Sequence, residues 1–172
     1  MNFNVIFLAG VHGVGKGYLV NSLKDKVFIW SQSASAIIKA EKLKEVDNGK
    51  LVLDADENQD YLVKGLNKLD VVHETLILDG HFCLQSSTGI YDVPVSTFES
   101  INISTIFLLT DDIDVIHKRL FARDGDALDK EMIFNLQEAE KSRAVYIANQ
   151  FNLPVITGTS SDTLKFLNVL MK

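Results

Sequence analysis

The sequence of 172 residues is poor in cysteine and proline, with one and two respectively. A single cysteine excludes a small domain stapled by disulfides, and the low proline content with 47% hydrophobic residues excludes a disordered or collagen-like chain. No apolar run approaches the roughly 18 residues of a membrane span, and the N terminus lacks the basic start of a signal peptide. The net charge of −6 disfavours general nucleic-acid binding. We therefore expect a single cytoplasmic domain over residues 1–172 that binds neither membranes nor nucleic acid in general.

Arginine is also scarce, since only Arg119, Arg123 and Arg143 occur and all lie in one short stretch. The planar guanidinium is the better bidentate phosphate clamp, which makes these three side chains candidates for phosphate contact. A genome that favours lysine codons is the alternative explanation.

Short apolar runs alternate with amphipathic helical segments along the chain. The predicted strands cover residues 3–9, 27–30, 76–78, 101–109 and 153–156. The predicted helices cover residues 15–26, 33–44, 54–69, 129–150 and 161–170, with a further helix after Thr110. Such alternation predicts a parallel sheet with helices on both faces, joined by right-handed crossovers.

The segment between the first strand and the first helix fits the G-x-x-x-x-G-K pattern of a phosphate-binding loop. Glycines in this pattern let backbone N–H groups converge on phosphate oxygens at a helix N-terminus, and the lysine adds a point charge. The alternative is a glycine-rich strand-to-helix turn. We predict that the loop binds ATP through Gly10, His12, Gly13, Val14, Gly15, Lys16, Gly17 and Tyr18.

Gly17 stands where the general pattern has a Ser or Thr whose hydroxyl contacts Mg²⁺. Any Mg²⁺ must then be held by water, by the nucleotide and by more distant carboxylates. Asp79 is the candidate for contact through water, because it ends a buried apolar strand where a carboxylate needs a cation or donors. An ordinary turn or helix cap is the alternative for Asp79.

The residues Gly13-Val14-Gly15-Lys16-Gly17 resemble the loop of the adenylate kinases, in which glycine follows the lysine. Further segments are similar to that family in the same order along nearly the whole chain. These are the serine-led helix from Ser33 to Lys39, residues 49–54 (GKLVLD), the strand end at residues 76–82 (LILDGHF), the pair Arg119 and Arg123, and Arg143.

This resemblance implies a three-layer α/β/α P-loop NTPase fold with a five-stranded parallel sheet of order 2-3-1-4-5. It also implies an acceptor-binding helical flap over residues 31–70 and a short lid over residues 123–129. The implied reaction transfers the γ-phosphoryl group of ATP, with Mg²⁺, to a small acceptor such as a nucleoside monophosphate. Lys16, Asp79, Arg119, Arg123 and Arg143 would act in catalysis, and Ser33, Lys39 and His81 would bind the acceptor.

Three departures from the family pattern favour an alternative function, and the first is the missing Ser or Thr hydroxyl after Lys16. The family's acceptor-site arginine is missing after Asp79-Gly80-His81-Phe82, and the lid is short. The Asp-Gly-His strand end is also similar to that of archaeal-type adenylate kinases and their nuclear relatives, some of which act as ATPases with partners. The alternative is a nucleotide-binding regulator or slow ATPase that acts through a protein partner.

Several of these residues have structural alternatives. His81 could be an ordinary loop histidine. Arg119 and Arg123 lie four residues apart on one helix face, where they could reach one phosphate or form salt bridges with neighbours such as Asp126. Arg143 could instead pair with Glu140 or with aspartates.

Overall fold

The computed structural model describes residues 3–47, 57–69, 75–86 and 88–171. The strands are β1 (Asn4–Ala9), β2 (Trp30–Ser33), β3 (Thr75–Asp79), β4 (Cys83–Ser86), β5 (Gly89–Asp92), β6 (Ile103–Leu109) and β7 (Val155–Gly158). The helices are α1 (Lys16–Lys24), α2 (Ala34–Asp47), α3 (Glu57–Lys68), α4 (Val95–Glu99), α5 (Ile113–Asp124), α6 (Lys130–Phe151) and α7 (Thr163–Leu170).

Five parallel strands form one sheet in the order β2-β3-β1-β6-β7. This confirms the predicted order 2-3-1-4-5, because β4 and β5 pair only with each other in a separate hairpin. The register places Leu8 of β1 beside Asp79 of β3, so the strand ends that precede the phosphate-binding loop and His81 reach the same edge of the sheet. Ligands collect at this carboxyl edge in open α/β sheets.

The central strand is buried on both faces, which explains its continuous apolar sequence. Val5, Phe7 and Ala9 belong to one apolar cluster, and Ile6 and Leu8 belong to another. Since successive side chains of a strand point to opposite faces, the two clusters lie on opposite sides of the sheet. The first cluster includes residues of α2, α3 and α6, and the second includes residues of α1, α5 and α7. The three-layer α/β/α fold is therefore confirmed.

The elements differ from the prediction in several places, and the short helix α4 was not predicted. The strand predicted at residues 27–30 begins only at Trp30, because Lys26 and Val27 still donate backbone hydrogen bonds to Leu23 at the end of α1. The hairpin of β4 and β5 was not predicted, and its strands have only four residues each.

Helices α2 and α3, which fall in the predicted flap, are held together by ion pairs to one buried carboxylate. The buried carboxylate of Glu41 on α2 accepts hydrogen bonds from Lys44 at 2.6 Å and from Lys68 of α3 at 2.5 Å. These bonds hold the pKa of Glu41 below its ordinary value. The predicted segment at residues 49–54 lies outside the described residues. In the described part of the chain, no helix combines the length and apolar character needed to cross a membrane.

Candidate active site

The phosphate-binding loop connects β1 to α1 through three glycines with positive φ. Gly10, Gly13 and Gly15 have φ angles of 140°, 80° and 103°, in a region that side chains rarely adopt. A Cβ on Gly15 would also lie 2.6 Å from Cβ of Ser160. Gly15 is the N-cap of α1, so the unpaired N–H groups of the first helical turn are available to an anion in the loop.

Lys16 lies at the centre of the site and is only 8% exposed. Its Nζ donates to the carbonyl of Gly10 at 2.5 Å, and it lies 3.7 Å from Oδ1 of Asp79 and 3.4 Å from Nε2 of His81. Burial lowers the pKa of Lys16, whereas the Asp79 carboxylate opposes that effect. The Lys16 ammonium therefore contacts protein groups in this structure, and phosphate oxygens could take the place of those groups.

Asp79 is the last residue of β3, and His81 follows it after Gly80. A Cβ on Gly80 would lie 2.7 Å from the ring of Phe7, so glycine permits this close passage of the chain. Burial raises the pKa of Asp79, and the charge of Lys16 opposes the rise. The structure therefore brings together Lys16, Asp79 and His81, three side chains that the sequence analysis assigned to the site.

The loop histidine, His12, stacks on His81. Their ring centroids are 4.4 Å apart at an angle of 43°. Burial is the largest cause that lowers the pKa of His12 to about 4 and that of His81 to about 3. Both imidazoles are therefore neutral near pH 7, and each carries one nitrogen that accepts a hydrogen bond.

Glu140 of α6 is a site residue that the sequence analysis did not assign. Its side chain is 2% exposed, Oε1 lies 3.1 Å from Nδ1 of His81, and Oε2 accepts a hydrogen bond from the backbone N–H of Phe82 at 2.8 Å. Burial raises the pKa of Glu140 to about 7. The sequence did contain a signal for the burial of Glu140. This residue lies on the apolar face of α6, at helical spacing from the buried residues Leu136, Ala144 and Ile147.

The three arginines occupy three different environments. Arg119 donates to the loop carbonyl of Val14 at 3.1 Å and to Asp111 at 2.8 Å. Arg123 instead forms two hydrogen bonds with its neighbour Asp124, at 2.7 and 2.6 Å, and is 59% exposed. Its charge is a minor cause of the lowered pKa of His12, after burial and the charges of His81 and Lys16.

Arg143 lies by the hairpin. It donates to the carbonyl of Val93 at 2.8 Å and lies 3.7 Å from the carboxylate of Asp92. Arg143 therefore pairs with an aspartate, which was one of the two structural alternatives. It does not pair with Glu140, because the Glu140 carboxylate contacts His81 and the Phe82 N–H. The structure does not bring Arg143 to Lys16.

A cavity of about 670 Å³ opens beside the loop, and His12 and Lys16 of the loop line it together with Asp79 and His81. The flap contributes Ser33, at the end of β2, and the exposed Lys39 of α2. Lys42 also lines this cavity. The remaining wall is largely apolar and includes Phe7, Ile38, Leu62 and Phe98. The cavity can therefore hold a small molecule against the end of the phosphate-binding loop.

The metal-binding capacity of the protein itself is limited. Among the described residues, no three His, Cys, Asp or Glu side chains are grouped to hold an ion. Gly17 provides no hydroxyl, and the side chain of Tyr18 is 63% exposed. Mg²⁺ commonly keeps several waters and binds substrate phosphates with one or two carboxylates. Asp79 at the cavity fits such an ion, one that arrives with the nucleotide.

The fold and the loop together define a P-loop kinase-like NTPase. Residues 9–137 match the family described as an AAA domain, and the chain belongs to that family. Comparison of the sequence with curated proteins finds no match.

Solved structures share the fold over almost the whole chain. A sugar kinase from Janibacter sp. HTCC2649 is 13% identical, with 98% of this chain and 94% of that chain covered and a TM-score of 0.58. A gluconokinase from Sinorhizobium meliloti 1021 is 11% identical, with 98% and 93% covered and a TM-score of 0.53. TT1252 from Thermus thermophilus is 16% identical, with 99% and 97% covered and a TM-score of 0.54. These likenesses support the P-loop kinase-like fold without singling out the adenylate kinases.

Proposed function

We propose that this protein transfers the γ-phosphoryl group of ATP to a small acceptor. The observation that carries the proposal is the shared boundary of the phosphate-binding loop and the 670 Å³ cavity, formed by Lys16, Asp79 and His81. Phosphoryl transfer depends mainly on positioning and charge neutralisation, and this boundary has a cation and a carboxylate side by side. The kinases among the solved structures with this fold add support.

The proposed roles divide along that boundary. The loop from Gly10 to Tyr18 holds the ATP phosphates, and Lys16 leaves the Gly10 carbonyl to contact the β- and γ-phosphates. Asp79 contacts water of the Mg²⁺ that accompanies ATP. That ion, when bound, neutralises charge that develops on the transferring group.

The acceptor side is assigned to the flap and the cavity. Ser33 and Lys39 line the cavity opposite the loop and would contact the acceptor. Arg123 would close on the transferring group with the lid of residues 123–129, which requires it to leave Asp124. An exposed pair of this kind contributes little to stability, so Arg123 can exchange it for a phosphate contact. A nucleoside monophosphate stays one candidate acceptor, and cytoplasmic action on a soluble metabolite fits the proposal.

A second candidate function is a slow ATPase or nucleotide-dependent regulator that works with a protein partner. The observation in its favour is the first turn of α1, where Gly17 and the exposed Tyr18 provide no buried hydroxyl for Mg²⁺. Such a protein would change conformation on binding ATP without rapid transfer.

The test is ³¹P NMR of the protein with MgATP and a panel of nucleoside monophosphates, nucleosides and simple polyols. We expect ADP and one phosphorylated acceptor to appear together, and Lys16→Ala to abolish both. Lys24→Ala is the matched control, because Lys24 is an exposed lysine of the same helix. Hydrolysis to ADP and inorganic phosphate alone would favour the second candidate, and absence of ATP binding would contradict both.

A further inference from the structure

A chain of side-chain contacts fixes the orientation of His81. The carboxylate of Glu140 lies 3.1 Å from Nδ1 of His81, and its other oxygen is occupied by the Phe82 N–H at 2.8 Å. Nζ of Lys16 has only hydrogens to offer and lies 3.4 Å from Nε2 of His81, so Nε2 is the accepting nitrogen, and Nδ1 carries the proton that it donates to Oε1 of Glu140. The lone pair of the imidazole therefore lies on Nε2. The contact between Nδ1 and Glu140 holds the ring in one orientation, as a catalytic histidine requires.

His81 lies at the boundary of the phosphate-binding loop and the cavity, where the proposed reaction takes place. In this structure Nε2 lies 3.4 Å from Nζ of Lys16. When Lys16 turns to the phosphates of ATP, Nε2 loses that partner and faces the junction of the loop and the cavity. His12, Asp79, Lys16 and Glu140 are the titratable groups that face this imidazole.

The cations that line the cavity are lysines. Lys16, Lys39 and Lys42 line it, whereas none of the three arginines of the chain does. Lysine is a single point charge and lacks the planar fork that grips a phosphate at two oxygens. A phosphate acceptor is in addition already ionised near pH 7 and has no proton that must be removed. An oriented neutral histidine has no evident task in that reaction.

We infer that the acceptor atom is a hydroxyl oxygen, and that His81, positioned by Glu140, accepts its proton. This inference rests on the proposed function and specifies the class of its acceptor. In the step, the hydroxyl oxygen forms a bond to the γ-phosphorus, and the bond from that phosphorus to the β,γ-bridging oxygen breaks. ADP leaves with the electron pair. The hydroxyl proton moves to Nε2, and the resulting imidazolium is stabilised by the Glu140 carboxylate until the proton passes to solvent. His81 is thus a catalytic residue and Glu140 a positioning residue.

The first experiment offers matched acceptors with MgATP and follows the products by ³¹P NMR and mass spectrometry. The pairs are adenosine with AMP, cytidine with CMP, D-ribose with ribose 5-phosphate, and glycerol with glycerol 3-phosphate. We expect products to be phosphate esters, formed on hydroxyl oxygens. A new phosphoric anhydride on any of the monophosphates would overturn the inference and leave the proposed function standing.

The second experiment compares Glu140→Gln and His81→Asn with the wild type and does not need the natural acceptor. ATP turnover, with the best acceptor of the panel or with water, should fall at least tenfold in both variants while ADP affinity by calorimetry stays within about twofold. Glu138→Gln, an exposed change on the same helix, is the control. Unchanged turnover in Glu140→Gln would overturn the inference, whereas a wild type that binds no nucleotide would contradict the proposed function itself.

A positioning role also has a spectroscopic signature. ¹⁵N NMR of the histidine side chains should show His81 as the Nδ1–H tautomer in the wild type. In Glu140→Gln the amide oxygen is needed by the Phe82 N–H, so the amide nitrogen faces Nδ1 and should shift His81 to the Nε2–H tautomer. A wild-type protein with the Nε2–H tautomer would contradict the inference.

Discussion

Glu140→Gln should change the pH dependence of stability in a defined direction. Burial raises the pKa of the folded carboxyl from its ordinary 4.5 to about 7, so the folded protein binds a proton between these values that the unfolded chain has released. The stabilisation from this group is full below about pH 4.5 and is lost as pH rises through about 7. The complete loss amounts to about 3 kcal/mol of unfolding free energy.

The two buried histidines change the unfolding free energy with pH in the opposite direction. The wild type must therefore be compared with Glu140→Gln at each pH. Their folded pKa values lie below the ordinary 6.5, so the stability that His12 and His81 contribute is lost as pH falls from 6.5 towards 4 and 3. The difference between wild type and Glu140→Gln isolates the carboxyl. From near pH 5 to near pH 8, the wild type should lose about 2 to 3 kcal/mol relative to the variant.

Urea unfolding followed by circular dichroism at a series of pH values measures this difference. Glu138→Gln should show the pH profile of the wild type, because its carboxylate forms an exposed pair with Lys141. Parallel profiles of wild type and Glu140→Gln across this range would refute the argument that the buried carboxyl holds a proton in the folded state.

Three further changes address the site. Compared with Gly17→Ala, Gly17→Ser should lower several-fold the Mg²⁺ concentration that gives half-maximal turnover. A Cβ at this position meets no atom within 4 Å, and the serine restores the hydroxyl that contacts Mg²⁺ in the general pattern. Equal Mg²⁺ requirements of the two variants would contradict this. Asp79→Asn should lower kcat at least tenfold at saturating MgATP while the melting temperature stays near that of the wild type, and an unchanged kcat would make Asp79 a cap. Arg123→Lys should lower kcat with little change in the KM for ATP, because lysine lacks the bidentate fork of arginine. Asp124→Asn releases Arg123 from its ion pair and should not lower kcat. A wild-type kcat in Arg123→Lys would make Arg123 a structural residue only.

The fold was predictable because its signals are local. The phosphate-binding motif stands between a buried strand and a helix, and the alternation of strands and helices fixes parallel pairing with few topologies. The start of β2 was predicted too early, because the backbone N–H of Val27 still bonds to the carbonyl of Leu23 in α1. The hairpin of β4 and β5 has short strands rich in polar residues, which sequence patterns do not separate from a loop.

The candidate site was only partly predictable because one of its contacts depends on helix packing and not on the order of the strands. Lys16 and Asp79 follow adjacent parallel strands, so their meeting at 3.7 Å follows from the sheet order. Glu140 reaches His81 across 59 positions, and that meeting depends on how α6 packs on the sheet. The partner of Arg123 is simply its neighbour, Asp124, and no periodic pattern favours that bond over a phosphate contact.

Binding of ADP to the wild type and to Lys16→Ala, measured by titration calorimetry, tests the central claim most directly. Loss of a hydrogen bond to a charged group should weaken binding by about 1.5 to 3 kcal/mol, or roughly 10- to 150-fold in Kd. Lys24→Ala should bind ADP as the wild type does, since Lys24 is an exposed residue in the last turn of α1. Equal affinity in the wild type and Lys16→Ala would contradict the assignment of the loop as the nucleotide-phosphate site.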